Sequence, residues 1–151
     1  MSDFFSTKPD DFDERIGVST CFLEHEGKLL VLKYAQNAIG KDLWAIPGGK
    51  LEKGESPKAA LIRELQEETQ ISLADRDSIE MIQHVYVRHK IYDYTLYLYR
   101  ITLEKRPEIL IDPAEHTEFN WVDIENFSTL PLIEGQLEAF HLAYPSLKIS
   151  T

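Results

Sequence analysis

The sequence predicts an α+β fold, layered α/β/α rather than a parallel doubly wound sheet. Two observations point there: strand-like runs precede, separate and follow only two helical stretches, and the strands come in pairs joined by short polar breaks. The first residues, to about Glu14, carry four aspartates and no period; they read as a loose acidic arm or as an edge segment fixed by Phe4, Phe5 and Phe12. Arg15–His25 and Lys28–Tyr34 are β-branched or apolar runs meeting at Glu26-Gly27, the pattern of a hairpin. Tyr34 to Asp42 reads as a loop. Leu43-Trp44-Ala45-Ile46 is a short buried strand ended by Pro47, whose missing N–H stops further pairing.

A glycine turn follows, and then Ser56 as N-cap with Pro57 at the first helical position, which predicts a helix to about residue 69. Ile79 to Leu103, broken at Arg88-His89-Lys90, predicts two antiparallel strands. Glu104 to His116 holds Pro107 and Pro113 and reads as a loop. Glu118–Val122 returns to strand, with Asp123 placed to cap a short turn. Pro131–Tyr144 predicts a closing helix, with Leu132, Leu137, Phe140 and Leu142 inward and Pro145 as its stop.

Composition narrows the function classes. A chain of 151 residues fits one domain, 1–151, large enough to bury a core without disulfides or zinc. The single cysteine, Cys21, forms no internal disulfide and sits in an apolar run, which suits a buried thiol and a reducing cytoplasm. The N-terminus lacks an export-type apolar segment, and no apolar run approaches the roughly 20 residues of a membrane helix. A formal net charge of −10 argues against a nucleic-acid polymer as partner. An anionic substrate would need cations as intermediaries.

The most informative stretch is Gly48 to Ile71. Residues three and four apart share a helical face, so Glu64, Glu67 and Glu68 occupy a sector of about 100°. The ordinary explanation of such a face is solvation. Two carboxylates ~5.5 Å apart repel by ~0.8 kcal/mol in water but by ~3 kcal/mol at the effective dielectric of a cleft. A helix launched from a Pro-Gly-Gly turn after a buried strand lies against the sheet edge, which favours the cleft and hence a cation. Carboxylates are the hard oxygen ligands that Mg²⁺ or Mn²⁺ takes.

Gly49, Glu55, the run Arg63-Glu64-Leu65-Gln66-Glu67-Glu68 and Ile71, led in by Trp44-x-x-Pro47-Gly48-Gly49, resemble the signature of the Nudix hydrolases, MutT-like. One position departs from it: Gln70 stands where the family usually has glycine. A left-handed helix end there costs a non-glycine residue roughly 1–2 kcal/mol. The resemblance implies an αβα sandwich with a mixed central sheet and helices on both faces. It implies Mg²⁺-dependent cleavage, with Mn²⁺ able to substitute, of a pyrophosphate linkage in a nucleoside diphosphate derivative, foremost a nucleoside triphosphate or a modified one. By position, Glu67 and Glu68 with the Gly48 carbonyl are metal ligands, Glu64 is a ligand or the base, and Arg63 and Glu55 are an orienting pair.

Further along, Glu115 resembles an extra catalytic glutamate of MutT-like enzymes and His116 the base histidine of GDP-mannose hydrolases. A plain polar loop explains His116 equally well. The tyrosines 92, 94, 97 and 99 could offer a ring for stacking a base, but aromatics in strands usually pack across strands; the patch His84, Tyr86, Arg88, His89, Lys90 could contact phosphates, and strand-end polarity explains it equally well, so none is assigned as a site. Pro131-Leu132-Ile133-Glu134 lacks the asparagine with which MutT-type enzymes read oxidised guanine. The alternatives are a GDP-sugar or dinucleoside polyphosphate hydrolase, or a sensing module without catalysis, against which the four retained glutamates speak. An isoprenoid diphosphate isomerase needs a cysteine before the box, and Cys21 is poorly placed. The expected partner is a small nucleotide, with no membrane, for a chain acting as monomer or homodimer.

Overall fold

Glu26 and Gly27 turn the chain with φ of 49° and 77°, both positive. That is the backbone sign a tight two-residue hairpin needs to follow strand twist. The structure, a computed structural model, describes residues 2–35, 40–74 and 77–147; residues 36–39 of the expected loop lie outside them. In chain order the elements are β1 (Asp3–Phe5), β2 (Glu14–His25), β3 (Lys28–Tyr34), β4 (Trp44–Ala45), β5 (Gly48–Lys50), α1 (Pro57–Thr69), β6 (Ser78–Arg88), β7 (Asp93–Thr102), β8 (His116–Asp123), a 3₁₀ turn (Ile124–Thr129) and α2 (Gln136–Ala143).

The sheet runs β1-β6-β7-β2-β3-β4, with β5 also on β2 and β8 also on β3. It is mixed: β2 and β7 run parallel from Ile16 opposite Tyr94 to Glu24 opposite Thr102, while β6 and β7 are antiparallel. Side chains alternate along β2, so Cys21 and Leu23 face one way and Phe22 the other. On the first face they join Leu61 and Leu65 of α1; on the second, Phe22 meets Phe127 of the 3₁₀ turn and Phe140 of α2. The αβα sandwich is thus present, with helices on both faces.

β2 and β3 pair only at Glu24–Leu29 and His25–Lys28, then diverge. The segment 44–50 fills the fork: β4 pairs with β3 at Ala45 and Trp44, β5 pairs with β2 from Val18 to Thr20, and the Pro47 carbonyl accepts the Cys21 N–H at 3.1 Å. Proline fits the crossover because a residue leaving one strand for another needs no donor there.

Several expectations are corrected. The glycine segment begins as strand β5, and the turn proper follows at 53–54, where Gly54 has φ 79°. Of the two readings of the acidic N-terminal stretch the edge segment holds and the loose arm does not: Phe4 lies opposite Val87 on β6, and Phe12 is buried against Tyr86. The last helix starts at Gln136, five residues later than expected. Trp44 N–H donates to the Pro131 carbonyl at 2.8 Å and Ile133 N–H to the Trp44 carbonyl at 3.0 Å, holding that segment extended. Leu137 is consequently outside, 37% exposed. Asp123 takes the N-cap position but its carboxylate pairs with Lys28 at 2.9 Å instead of capping.

Candidate active site

Helix α1 starts where the sequence predicts. Ser56 Oγ accepts the Ala59 N–H, Pro57 occupies the first turn, and the helix ends at Gln70 in the left-handed region, φ 61°. Its inner face, Leu61 and Leu65, is fully buried, which fixes the rotation of the neighbouring acidic residues.

Arg63 is the hub of that acidic face. Its Nε and Nη2 donate to both oxygens of Glu55 at 2.8 and 2.9 Å, and Nη2 also donates to the Lys50 carbonyl at 2.9 Å. Nη1 donates to Glu64 at 3.0 Å and to Glu67 at 3.3 Å, and Glu52 lies 3.1 Å from Nε. The guanidinium beside Glu55 holds that carboxyl down to about 2, and Glu55 raises the Arg63 pKa in return. A planar fork of five donors is the one side chain able to serve so many acceptors at once.

Glu68 is only 7% exposed and accepts the Gly48 N–H through Oε1 at 2.9 Å. Burial pushes its pKa well above the ordinary glutamate value, with nearby Glu64 and Glu115 adding to the shift. Glu64 is also raised, chiefly by burial, against the pull of Arg63. A buried and a half-buried carboxylate with one amide and one shared guanidinium between them are undercompensated. Gly49 makes room for them: a Cβ there would stand 2.3 Å from the Glu64 carboxyl carbon.

A cleft of about 400 Å³ is lined by Tyr34, Gly48, Glu64, Glu68, Ala114, Glu115 and His116. The chain from 112 brings its second wall: Ala35 N–H donates to the Glu115 carbonyl at 2.9 Å, tying that loop to the end of β3. His116 is 3% exposed, its Nε2 stands 3.8 Å from Glu68, and its ring meets Tyr34 at 5.1 Å. Burial lowers its pKa, so the ring is neutral near pH 7. Its Nδ1 is buried without a hydrogen-bond partner among the described residues. Glu67 stands apart from this cleft, its side chain 57% exposed and drawn to Arg63. Among the described residues, no three His, Cys, Asp or Glu side chains converge in a ready ion cage. The donor set nonetheless fits a hard cation: carboxylate oxygens, held partly dry, whose charges lack enough counter-charge.

Two contributors leave no mark in the sequence. Tyr34 reads only as a strand end, since one aromatic there has no period to give its direction. The Lys50 carbonyl is invisible because a backbone acceptor leaves no residue signature. A second cleft of about 510 Å³, sharing Tyr34 and Gly48 with the first, is lined largely by apolar and aromatic groups, Phe4, Tyr92, Tyr94 and Ile46 among them. Cys21 is fully buried, and burial pushes its thiol pKa up, leaving it unreactive.

A model of the NUDIX domain matches residues 13–142. The chain belongs to the Nudix family. Among curated Nudix relatives it is 27% identical over 129 residues to Nudix hydrolase 5 of Arabidopsis thaliana, covering 83% of this chain and 42% of that protein. It is 38% identical over 85 residues to phosphatase NudJ of Escherichia coli, 56% of this chain and 53% of the relative. The chain therefore spans about half the length of these relatives, or less. The fold matches the NUDIX domain of Shewanella oneidensis NrtR, solved with ADP ribose, at a TM-score of 0.73 and 20% identity, covering 94% of each chain. It matches a MutT NUDIX hydrolase of Burkholderia pseudomallei at 0.70 and 20%, covering 84% of this chain and 96% of that one. Divalent-metal dependence is general in this family. No described helix is long and apolar enough to cross a membrane.

Proposed function

We propose that the whole chain, 1–151, is one Nudix hydrolase domain that works in the cytoplasm, with Mg²⁺, and cleaves a pyrophosphate linkage in a nucleoside diphosphate derivative, foremost a nucleoside triphosphate. What carries this reading is the half-dry pair Glu64 and Glu68 in a cleft that shares Tyr34 and Gly48 with a second, aromatic-lined one. Glu68 and the Gly48 carbonyl would hold the cation, and Glu67 would join them only once its side chain leaves Arg63. Bound there, Mg²⁺ neutralises phosphate oxygens and acidifies water.

The protein's own groups do the rest. Arg63, locked by Glu55, holds one oxygen of Glu64 and leaves the other for a proton from the attacking water; burial has already moved this carboxyl toward working pH, where a general base is most effective. Water oxygen bonds to phosphorus, the bridging P–O bond breaks, and the leaving phosphate carries off the electron pair. Glu115 and neutral His116 form the facing wall, each within the cleft and able to take the same proton. Family names attached to relatives, ADP-ribose pyrophosphatase in Bacillus subtilis among them, agree with an anhydride as target.

The test is a nucleotide panel with Mg²⁺, scored by phosphate and pyrophosphate release, run on the native chain and on Glu64→Gln, Glu115→Gln and His116→Asn. The reading expects the Glu64 variant to lose about 10²- to 10⁴-fold and the others less. A larger loss in either of the other two moves the base to that residue. No turnover of any nucleotide by the native chain ends the proposal.

A further inference from the structure

We infer that Tyr34 is a further catalytic residue: its hydroxyl donates to the oxygen that departs with the diphosphate when a nucleoside triphosphate is cut at its first phosphorus. This deepens the anhydride-hydrolase reading and rests on it. Tyr34 and Gly48 are the residues common to the carboxylate cleft and the aromatic-lined one, and glycine has no side chain, so the phenol is the one side chain standing where the two meet. In an in-line displacement the leaving oxygen lies opposite the attacking water. Glu64 lines the carboxylate cleft alone, so with the water beside it the opposite side faces the junction. Charge gathers there against a wall of like sign. Besides three glutamates, a glycine and an alanine, the lining of that cleft holds two side chains able to donate, Tyr34 and His116, and His116 Nε2 already faces Glu68 at 3.8 Å.

Tyr34 is fixed at both its backbone and its ring. Its N–H donates to the Leu43 carbonyl at 3.0 Å, and its own carbonyl accepts the Asp42 N–H at 3.3 Å. The ring lies on that of His116, with centroids 5.1 Å apart at 36°. Its hydroxyl has no hydrogen-bond partner among the described residues, although Glu68, Glu115 and Glu64 all act on it electrostatically. Burial first, and then these carboxylates, raise its pKa above that of an ordinary phenol, so the group is a neutral donor near pH 7. A cation in this place would be drawn onto the glutamates, as Arg63 is. The water oxygen bonds to phosphorus, the bond to the bridging oxygen breaks with its electron pair left on that oxygen, and the phenol keeps its proton while its hydrogen bond to that oxygen strengthens. Such a bond gains strength only as charge builds, so it lowers the barrier without tightening the ground state.

The test uses the four ribonucleoside triphosphates with CF₂, oxygen or CH₂ as the β,γ bridge, whose leaving groups rise in basicity in that order, with Mg²⁺ and with nucleoside monophosphate release as the readout. Tyr34→Phe keeps the ring on His116 and removes the donor. It should lower kcat by about tenfold on the oxygen-bridged substrate and leave KM within about twofold, the split expected of an interaction made only in the transition state. The loss should grow along the series to about 10²-fold with CH₂, because a more basic leaving oxygen depends more on its donor. A merely structural role would lower the melting temperature and slow all three bridges alike. A loss uniform across the bridges, a change confined to KM, or a silent variant overturns the inference. Monophosphate release from none of these substrates also ends it, while turnover elsewhere in a nucleotide panel leaves the hydrolase reading standing; no turnover of any nucleotide ends both.

Discussion

Gly49→Ala separates catalysis from stability more cleanly than deletion of a carboxylate. The Gly49 backbone lies outside the positive-φ region, so alanine meets no strain in the chain itself. The new methyl would stand 2.3 Å from the Glu64 carboxyl carbon and 2.5 and 2.6 Å from its oxygens, so that side chain must swing away by an ångström or more. The stability cost is the lost Arg63–Glu64 bond, now 3.0 Å, worth ~0.5–1 kcal/mol for a partly exposed ion pair. Alanine's smaller unfolded-state entropy offsets some of it. The melting temperature should therefore move by no more than about 2–4 °C. Turnover should fall by ~10²-fold, the usual consequence of an ångström's misplacement of a catalytic group. Gly48→Ala is the contrast: its Cβ would lie 2.3 Å from the Ser19 carbonyl oxygen at a φ of 154°, and backbone does not yield. That variant should lose its fold at moderate temperature. Scanning calorimetry alongside a phosphate-release assay reads both quantities. Native turnover in Gly49→Ala, or a melting loss matching that of Gly48→Ala, would refute the reasoning.

Glu68→Gln should abolish turnover yet stabilise the metal-free protein at pH 8. A raised folded pKa means that the stability Glu68 contributes is present below its unfolded value and lost as pH rises through the folded one; the gap between variant and native chain should close toward pH 4, and a pH-independent gap in urea titrations would contradict it. Added Mg²⁺ should raise the melting temperature of the native chain but not of this variant. Glu55, held at about 2, has the opposite sign: its stabilisation exists above about 4.5 and disappears between there and about 2, so Glu55→Gln should flatten the acid limb of a stability profile and leave the alkaline limb alone. Gln70→Gly should stabilise by ~1 kcal/mol, because Gln70 holds φ 61° where glycine carries no Cβ penalty; a loss of stability in urea would show that its side chain contributes more than the strain.

Where a local rule governs, the sequence is legible to the residue. Ser56, Pro57 and the Leu61/Leu65 stripe set α1 and its rotation, and with it the direction of Glu64 and Glu68. Glu26-Gly27 sets the first hairpin. The parallel match of β2 with β7 is different in kind: it joins residues about 78 apart, and no local pattern encodes a partner at that distance. The late start of α2 has a related cause. Leu132 has helical spacing to the residues after it, but Trp44, far back in the chain, claims the backbone of 131–133 for itself. At the site, the glutamates were readable and their sharing of Arg63 was not, since one guanidinium's choice among Glu52, Glu55, Glu64 and Glu67 is decided by the turn at 53–54.

The divergence of β2 from β3 has a mechanical side. A hairpin that stays zipped offers a ligand only its two outer edges, whereas one that opens after two residue pairs creates an interior angle whose width is set at its hinge end. Because 44–50 is hydrogen-bonded to both arms, that angle is braced as a gable is by its tie beam. Loops at the rim are then free to vary in length and composition while the distance from Gly48 to the acidic helix stays constant, so a lineage of such proteins could exchange substrates without rebuilding the chemistry.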